Sequence, residues 1–173
     1  MQKVILADRD ATARAPMAGA ILKEEGWDDE KIELMVRGLV VLFPEPVSQK
    51  ADAVLVANGL DIGGYRSEQL KETDVDEDTL IVIMSERDRK AASEIVGDEL
   101  SDRIHVLTEL CGEELEIMDP YGGPVGSYGI CFETMSRTLK KFFSLVKDGK
   151  IDEHGRIPEE AADNILTGSD EDE

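Results

Sequence analysis

Short continuous apolar runs alternate along the chain with longer segments whose apolar positions recur three or four residues apart. Residues 4–7 form a run of the first kind and predict a buried strand, since a strand covered on both faces has no polar side to show. Pro16 suits the first turn of a helix, where an N–H would have no partner. The segment PMAGAILKEEG then sets Met17, Ala20 and Ile21 on one helical face and stops at Gly26. Residues 34–43 predict a second strand, ended by the Pro44-Glu45-Pro46 turn, and residues 48–58 a helix closed by Gly59. TLIVIM at 79–84 is the clearest buried strand and precedes a charged helix over 86–95. A fourth strand is expected at 105–107, and a long amphipathic helix over 127–146. Strands alternating with helices imply βαβ units. The expected fold is one α/β domain over residues 1–150, a four-stranded parallel sheet flanked by helices in a Rossmann-like three-layer arrangement. Residues 151–173 read as a largely flexible acidic tail.

Charge narrows the partners. Acidic residues outnumber basic ones 39 to 19, a formal charge of −20, and such a surface repels nucleic acid and anionic membranes. A local nest of backbone amides with one arginine can still take a phosphorylated ligand against that distant field. No apolar run approaches the ~20 residues that span a bilayer, and the N-terminus lacks a signal-peptide pattern. Two cysteines, Cys111 and Cys131, are too few for a disulfide scaffold and have no metal-ligand spacing around them. The expectation is a cytoplasmic protein with no cofactor and no metal. Nothing in the pattern sets an oligomeric state.

The chemistry is expected where the first strand hands over to the first helix, because ligands of parallel sheets gather at strand carboxyl ends and helix N-termini. That stretch is LADRDATARAPM, residues 6–17. Its candidate phosphate loop comprises Asp8, Arg9, Asp10, Ala11, Thr12, Ala13, Arg14 and Ala15. With RAPMA at 14–18, DIGGYRSEQL at 61–70, TLIVIMSERDRK at 79–90 and MDPYGGP at 118–124, all in order, the chain resembles the low-molecular-weight protein tyrosine phosphatases over residues 3–147. The resemblance implies a loop C-x5-R-[ST]-P, whose thiolate attacks phosphorus while the arginine clamps the phosphoryl oxygens. A distant Asp-Pro then protonates the leaving oxygen. Carried onto this chain, it puts Asp8 at the nucleophile position, Arg14 at the clamp, Asp119 at the general acid and Tyr121 at the pocket mouth. Thr12 sits at a position resembling that of the arginine-phosphate-directed bacterial members. The implied partner is a phosphorylated protein, carrying phosphotyrosine or phosphoarginine.

Three departures fall in one loop: Asp8 for cysteine, Ala15 for the hydroxyl that activates it, and Asp10-Ala11 for the usual Gly-Asn. Ordinary thiol chemistry is therefore not expected. Cys131 and Arg137-Thr138 also spell C-x5-R-T, but within a helical pattern, where positions six apart face different ways at ~100° per residue. Asp8-x-Asp10-x-Thr12 also resembles the haloacid dehalogenase motif, in which the first aspartate attacks, the second handles a proton and Mg²⁺ neutralises charge. Ser85, Lys90, Asp98 and Asp102 supply crude versions of its later motifs, though Lys90 and Asp98 are too close for a strand and helix between them. A third account makes Asp8 or Asp10 the loop's own anion. A phosphate ~4 Å away at an effective dielectric of ~20 would then be repelled by ~4 kcal/mol, about a thousandfold in affinity. The open readings are an impaired phosphatase, a non-enzymatic interaction module and a metal-assisted phosphohydrolase. On the bland side, Arg14 pairs with Asp8, Thr12 is a turn residue, Asp119 caps a turn and Tyr121 merely packs. His105 and His154 suggest no site.

Overall fold

In a computed structural model, residues 1–155 are described. The elements are β1 (Lys3–Asp8), α1 (Arg14–Glu24), β2 (Glu33–Gly38), α2 (Gln49–Ala57), β3 (Thr79–Ile83), α3 (Arg89–Val96), β4 (Ile104–Val106), α4 (Leu107–Leu110) and α5 (Val125–Lys147). The four strands form one parallel sheet in the order β2-β1-β3-β4. The two central strands carry no polar face. Along β1, Val4 and Leu6 join the core under α1, α2 and α5, while Ile5 and Ala7 join the smaller core under α3. Trp27 closes the larger core by stacking on Phe142 of α5, with ring centroids 6.3 Å apart. No helix among the described residues is long and apolar enough to cross a membrane.

Several boundaries move from the expected ones, each for a local reason. α1 begins at Arg14, before Pro16, because the Met17 amide already donates to the Ala13 carbonyl. Pro16 still lies in the first turn, where amides have no helical partner. The charged segment opens as a 3-10 turn at Glu86–Asp88 before α3. β4 is one residue earlier than expected, and Leu107 starts the short α4 instead. α5 starts at Val125, directly after Pro124.

The largest correction is the strand expected over 34–43, which ends at Gly38. Beyond it β1 turns into the phosphate loop, so Leu39 donates to the carbonyl of Asp8, the last residue of β1, and Val40 to that of Arg9 in the loop. Val40, Leu42 and Phe43 consequently face solvent. At Gly38 the crossing is close: a Cβ would sit 2.4 Å from Val41 Cγ2 and 3.0 Å from the Asp10 carbonyl carbon. Only glycine permits that approach. Gly38→Ala is expected to destabilise the protein by about 1–3 kcal/mol through overpacking. Gly129→Ala, which meets nothing within 4 Å on α5, should instead stabilise by up to about 1 kcal/mol. Urea denaturation of both variants checks the pair; equal effects would contradict the close approach.

At the far end Ile151 is buried, Glu153 pairs with the N-terminal amine at 3.1 Å and His154 Nδ1 meets Asp102 at 2.9 Å. Residues 156–173 of the anticipated acidic tail lie outside the described residues.

Candidate phosphate-loop site

Asp8 is the last residue of β1 and is 4% exposed. One carboxylate oxygen accepts the Ala11 amide at 2.6 Å, the other the Ala15 amide at 3.0 Å in the first turn of α1. These are the amides that a strand-to-helix turn offers an anion. Burial pushes the Asp8 carboxyl up to about 6, against the opposing pull of the Ala15 and Ala11 amides and of Arg14; Asp10 adds to the upward push. Asp10 turns to its own loop, where one of its oxygens accepts both the Thr12 amide and the Thr12 hydroxyl. Between them Ala11 adopts φ 57°, an uncommon conformation for a residue with a Cβ. It is held there by the Tyr65 hydroxyl, which donates to the Ala11 carbonyl at 2.6 Å.

Arg14 is buried, with Nη1 donating at 2.8 Å to both Ser85 Oγ and the Ile117 carbonyl. Its one ion-pair contact among the described residues is to Asp119, at 3.8 Å from Nη2, and not to Asp8. Of the two readings of Arg14, the ion pair with Asp8 is thus not formed among the described residues, and Asp8 instead meets the loop amides. Asp119 also accepts from the Tyr121 amide at 3.1 Å, as a turn cap would, and from Arg87 at 2.6 Å. Burial alone would raise its carboxyl, but the Tyr121 amide, Arg14 and Arg87 together outweigh that and hold it below the usual carboxylate range. Next to Arg87 in sequence, Asp88 is buried with Oδ2 lacking a hydrogen-bond partner among the described residues, and burial raises its carboxyl.

These groups surround a cleft of about 500 Å³, into which Asp8, Arg9, Asp10, Thr12, Ala13, Arg14, Ser48, Arg87, Asp119, Tyr121 and Tyr128 all reach. Tyr121 is 85% exposed at its edge. The sequence pattern therefore brings loop and distal Asp-Pro together, and the structure adds Tyr65, Ser85, Arg87 and Tyr128. The YRSEQL string turns out to be a brace: besides Tyr65, Ser67 exchanges bonds with Glu45, and Gln69 ties down Leu39 and Val41. In one dimension the string shows no task of its own, and only these tertiary contacts supply one.

The competing motifs are not at this place. Cys131 lies within α5 with Arg137 and Thr138, and the Thr138 hydroxyl donates to Glu113. Burial pushes the Cys131 and Cys111 thiols up to about 11, so both stay protonated at neutral pH. Lys90 and Asp98 line a separate surface depression with Glu86 and Arg89, and Asp102 pairs with His154. Of the four later-motif candidates, Ser85 alone among the described residues bonds a loop residue, as an acceptor for Arg14.

Fold and loop together define a phosphatase-type α/β scaffold. Residues 3–152 match the low molecular weight phosphotyrosine protein phosphatase family, and the chain belongs to it. It is 31% identical over 130 residues to the low molecular weight protein-tyrosine-phosphatase PtpB of Staphylococcus haemolyticus, covering 75% of this chain and 89% of that one. To the protein-arginine-phosphatase of Geobacillus stearothermophilus it is 29% identical over 118 residues, covering 68% and 77%. Among solved structures, the YwlE arginine phosphatase of G. stearothermophilus superimposes with a TM-score of 0.77 at 23% identity, over 86% of this chain and 94% of that one. The low molecular weight protein tyrosine phosphatase of T. tengcongensis does so with a TM-score of 0.72 at 27% identity, over 83% and 99%.

Proposed function

We propose that this protein is a catalytically impaired member of its family, a pseudophosphatase on a phosphotyrosine or phosphoarginine phosphatase scaffold. The observation that carries this reading is the Asp8 carboxylate, which takes the Ala11 and Ala15 amides for itself. Asp8 stands at the position where the family resemblance puts the attacking thiolate, and each of its oxygens already accepts a loop amide that would otherwise be offered to a phosphoryl oxygen. Arg14 keeps the place of a phosphate clamp but is engaged by Ser85 and Ile117. Asp119 keeps the place of the general acid, held below the usual carboxylate range by the Tyr121 amide, Arg14 and Arg87 together, but without a thiolate to attack phosphorus it has no leaving group to protonate. What the scaffold retains is a surface for a protein partner, in a cytoplasmic setting. Phosphorylated partners bind it weakly, because ionised Asp8 repels the phosphoryl group.

Purified protein is expected to hydrolyse p-nitrophenyl phosphate no faster than background from acid to neutral pH. Robust metal-independent turnover that survives thiol alkylation would overturn this reading. Turnover that chelation abolishes would favour Asp8 as a metal-assisted nucleophile.

A further inference from the structure

Beside the phosphate-loop cleft, on the other side of Asp119 and Tyr121, lies a second and larger groove of about 820 Å³. One wall is a helical stripe of α5, Ser127, Ile130, Cys131 and Thr134, spaced as one face of a helix. The other wall is the segment 113–123. That segment is not a loose flap: Ile117 is buried, its carbonyl is held by buried Arg14, and Glu116 accepts the Glu86 amide. With Ile117 turned inward, its neighbours are turned out. Leu115 is 84% exposed, Met118 79% and Ile130 66%. Together with Tyr121 they concentrate large apolar side chains on one spot of a chain whose residues are 34% charged. Apolar surface gathered in this way marks an interaction site, and Met and Tyr are typical of interface centres.

The groove's margin is acidic. Glu113, Glu114, Glu116 and Asp119 line it. Lys141 answers Glu113 and Arg87 answers Asp119, while Glu114 and Glu116 have no ion pair among the described residues. A second copy of this chain, at −20, would bring like charge to that margin. So would the chain's own residues 156–173, with seven acidic side chains and one arginine. We propose that the groove docks an amphipathic segment of another protein, with large apolar side chains entering between α5 and residues 113–123 and Lys or Arg meeting the glutamates. This goes beyond the impaired-phosphatase reading and does not depend on it, because the groove contains neither Asp8 nor Arg14.

The test uses a fluorescein-labelled synthetic peptide of about 14 residues, leucines on one helical face and lysines on the other. It is titrated with the full chain in anisotropy measurements. Leu115→Ser with Ile130→Ser is expected to weaken binding at least about tenfold, while Val56→Ser, exposed on α2, leaves it unchanged. Salt should weaken binding further, as screening of the glutamates requires. Circular dichroism of the variants confirms that they are folded, and Asp10→Gly, in the phosphate loop but away from the groove wall, should not alter the affinity. The idea is overturned if the peptide does not bind, or if binding is indifferent to the groove substitutions and so merely reports net charge. It is equally overturned if a leucine–glutamate peptide or synthetic 156–173 binds as tightly, or if sedimentation shows a dimer that those substitutions dissolve.

Discussion

Asp8→Cys combined with Asp10→Gly, Ala11→Asn and Ala15→Ser is expected to raise aryl-phosphate turnover by about a hundredfold or more above the wild-type background, the scale on which nucleophile and oxyanion groups act. Asp8→Cys alone should recover little. A free thiol ionises near ~8.5, and Ala15 offers no hydroxyl to hold a thiolate. The Ala15 amide already points at the Asp8 side chain at 3.0 Å, so a serine hydroxyl would be delivered beside the same group. Asp10 must also go, since its carboxylate would otherwise remain beside the incoming phosphate. Asparagine is well suited to position 11, where φ is 57°, because it tolerates the left-handed region better than most residues. Adding Asp119→Asn should lower the recovered rate about a hundredfold, the usual contribution of a general acid. That step separates the distal loop from the first. If the fourfold variant binds vanadate without turning over, the distal aspartate is not placed to protonate a leaving group. Arg87 explains how: a guanidinium 2.6 Å away competes for the same oxygen. Arg87→Ala in the fourfold background should then raise the rate.

The loop was legible in the sequence because its position follows from periodicity: an apolar run, then a helix start, with Arg14 between them. MDPYGGP, more than a hundred residues on, was legible only through resemblance, since nothing local says that it meets the loop. Sequence could not say which of two anions, Asp8 or Asp10, would fill the nest. The backbone decides that: Ala11 in the left-handed region turns its amide back to Asp8, and Asp10 is left to bond Thr12. Apolar composition misled once, at Val40, Leu42 and Phe43, where a strand-like run has no strand to pair with. The Glu113–Tyr121 groove escaped notice for a related reason. Its apolar side chains come from an irregular segment and from the outward face of a helix, and neither pattern shows an exposed patch in one dimension.

Asp8 should also leave its mark on the pH dependence of stability, and this effect is large. Its carboxyl is raised from 3.8 to about 6 in the folded protein, so the folded chain holds a proton there that the unfolded chain has lost. Stability falls with pH wherever the folded state binds more protons. Below the unfolded value Asp8 is neutral in both states and contributes no difference. Through the interval from about 4 to about 6 the penalty grows, and above it the full cost of burying the charge applies. A displacement of roughly two pH units corresponds to about 3 kcal/mol. Asp119, Asp102 and Glu113, all held low, act with the opposite sign in more acid solution, so the wild-type curve alone would hide the effect. Asp8→Asn isolates it, because asparagine keeps the shape and cannot ionise. Its lost amide bond shifts stability by the same amount at every pH. The wild type should therefore lose about 2 kcal/mol relative to Asp8→Asn between pH 4 and pH 7, the rest of the displacement falling below pH 4, read from urea midpoints. Sulfate, whose charge does not change over that range, should bind the wild type more tightly as pH falls through about 6, when the neutral Asp8 no longer repels it. A stability difference that stays constant across the range would mean that Asp8 remains ionised in its nest, and the repulsion that silences the phosphate seat would then persist in acid.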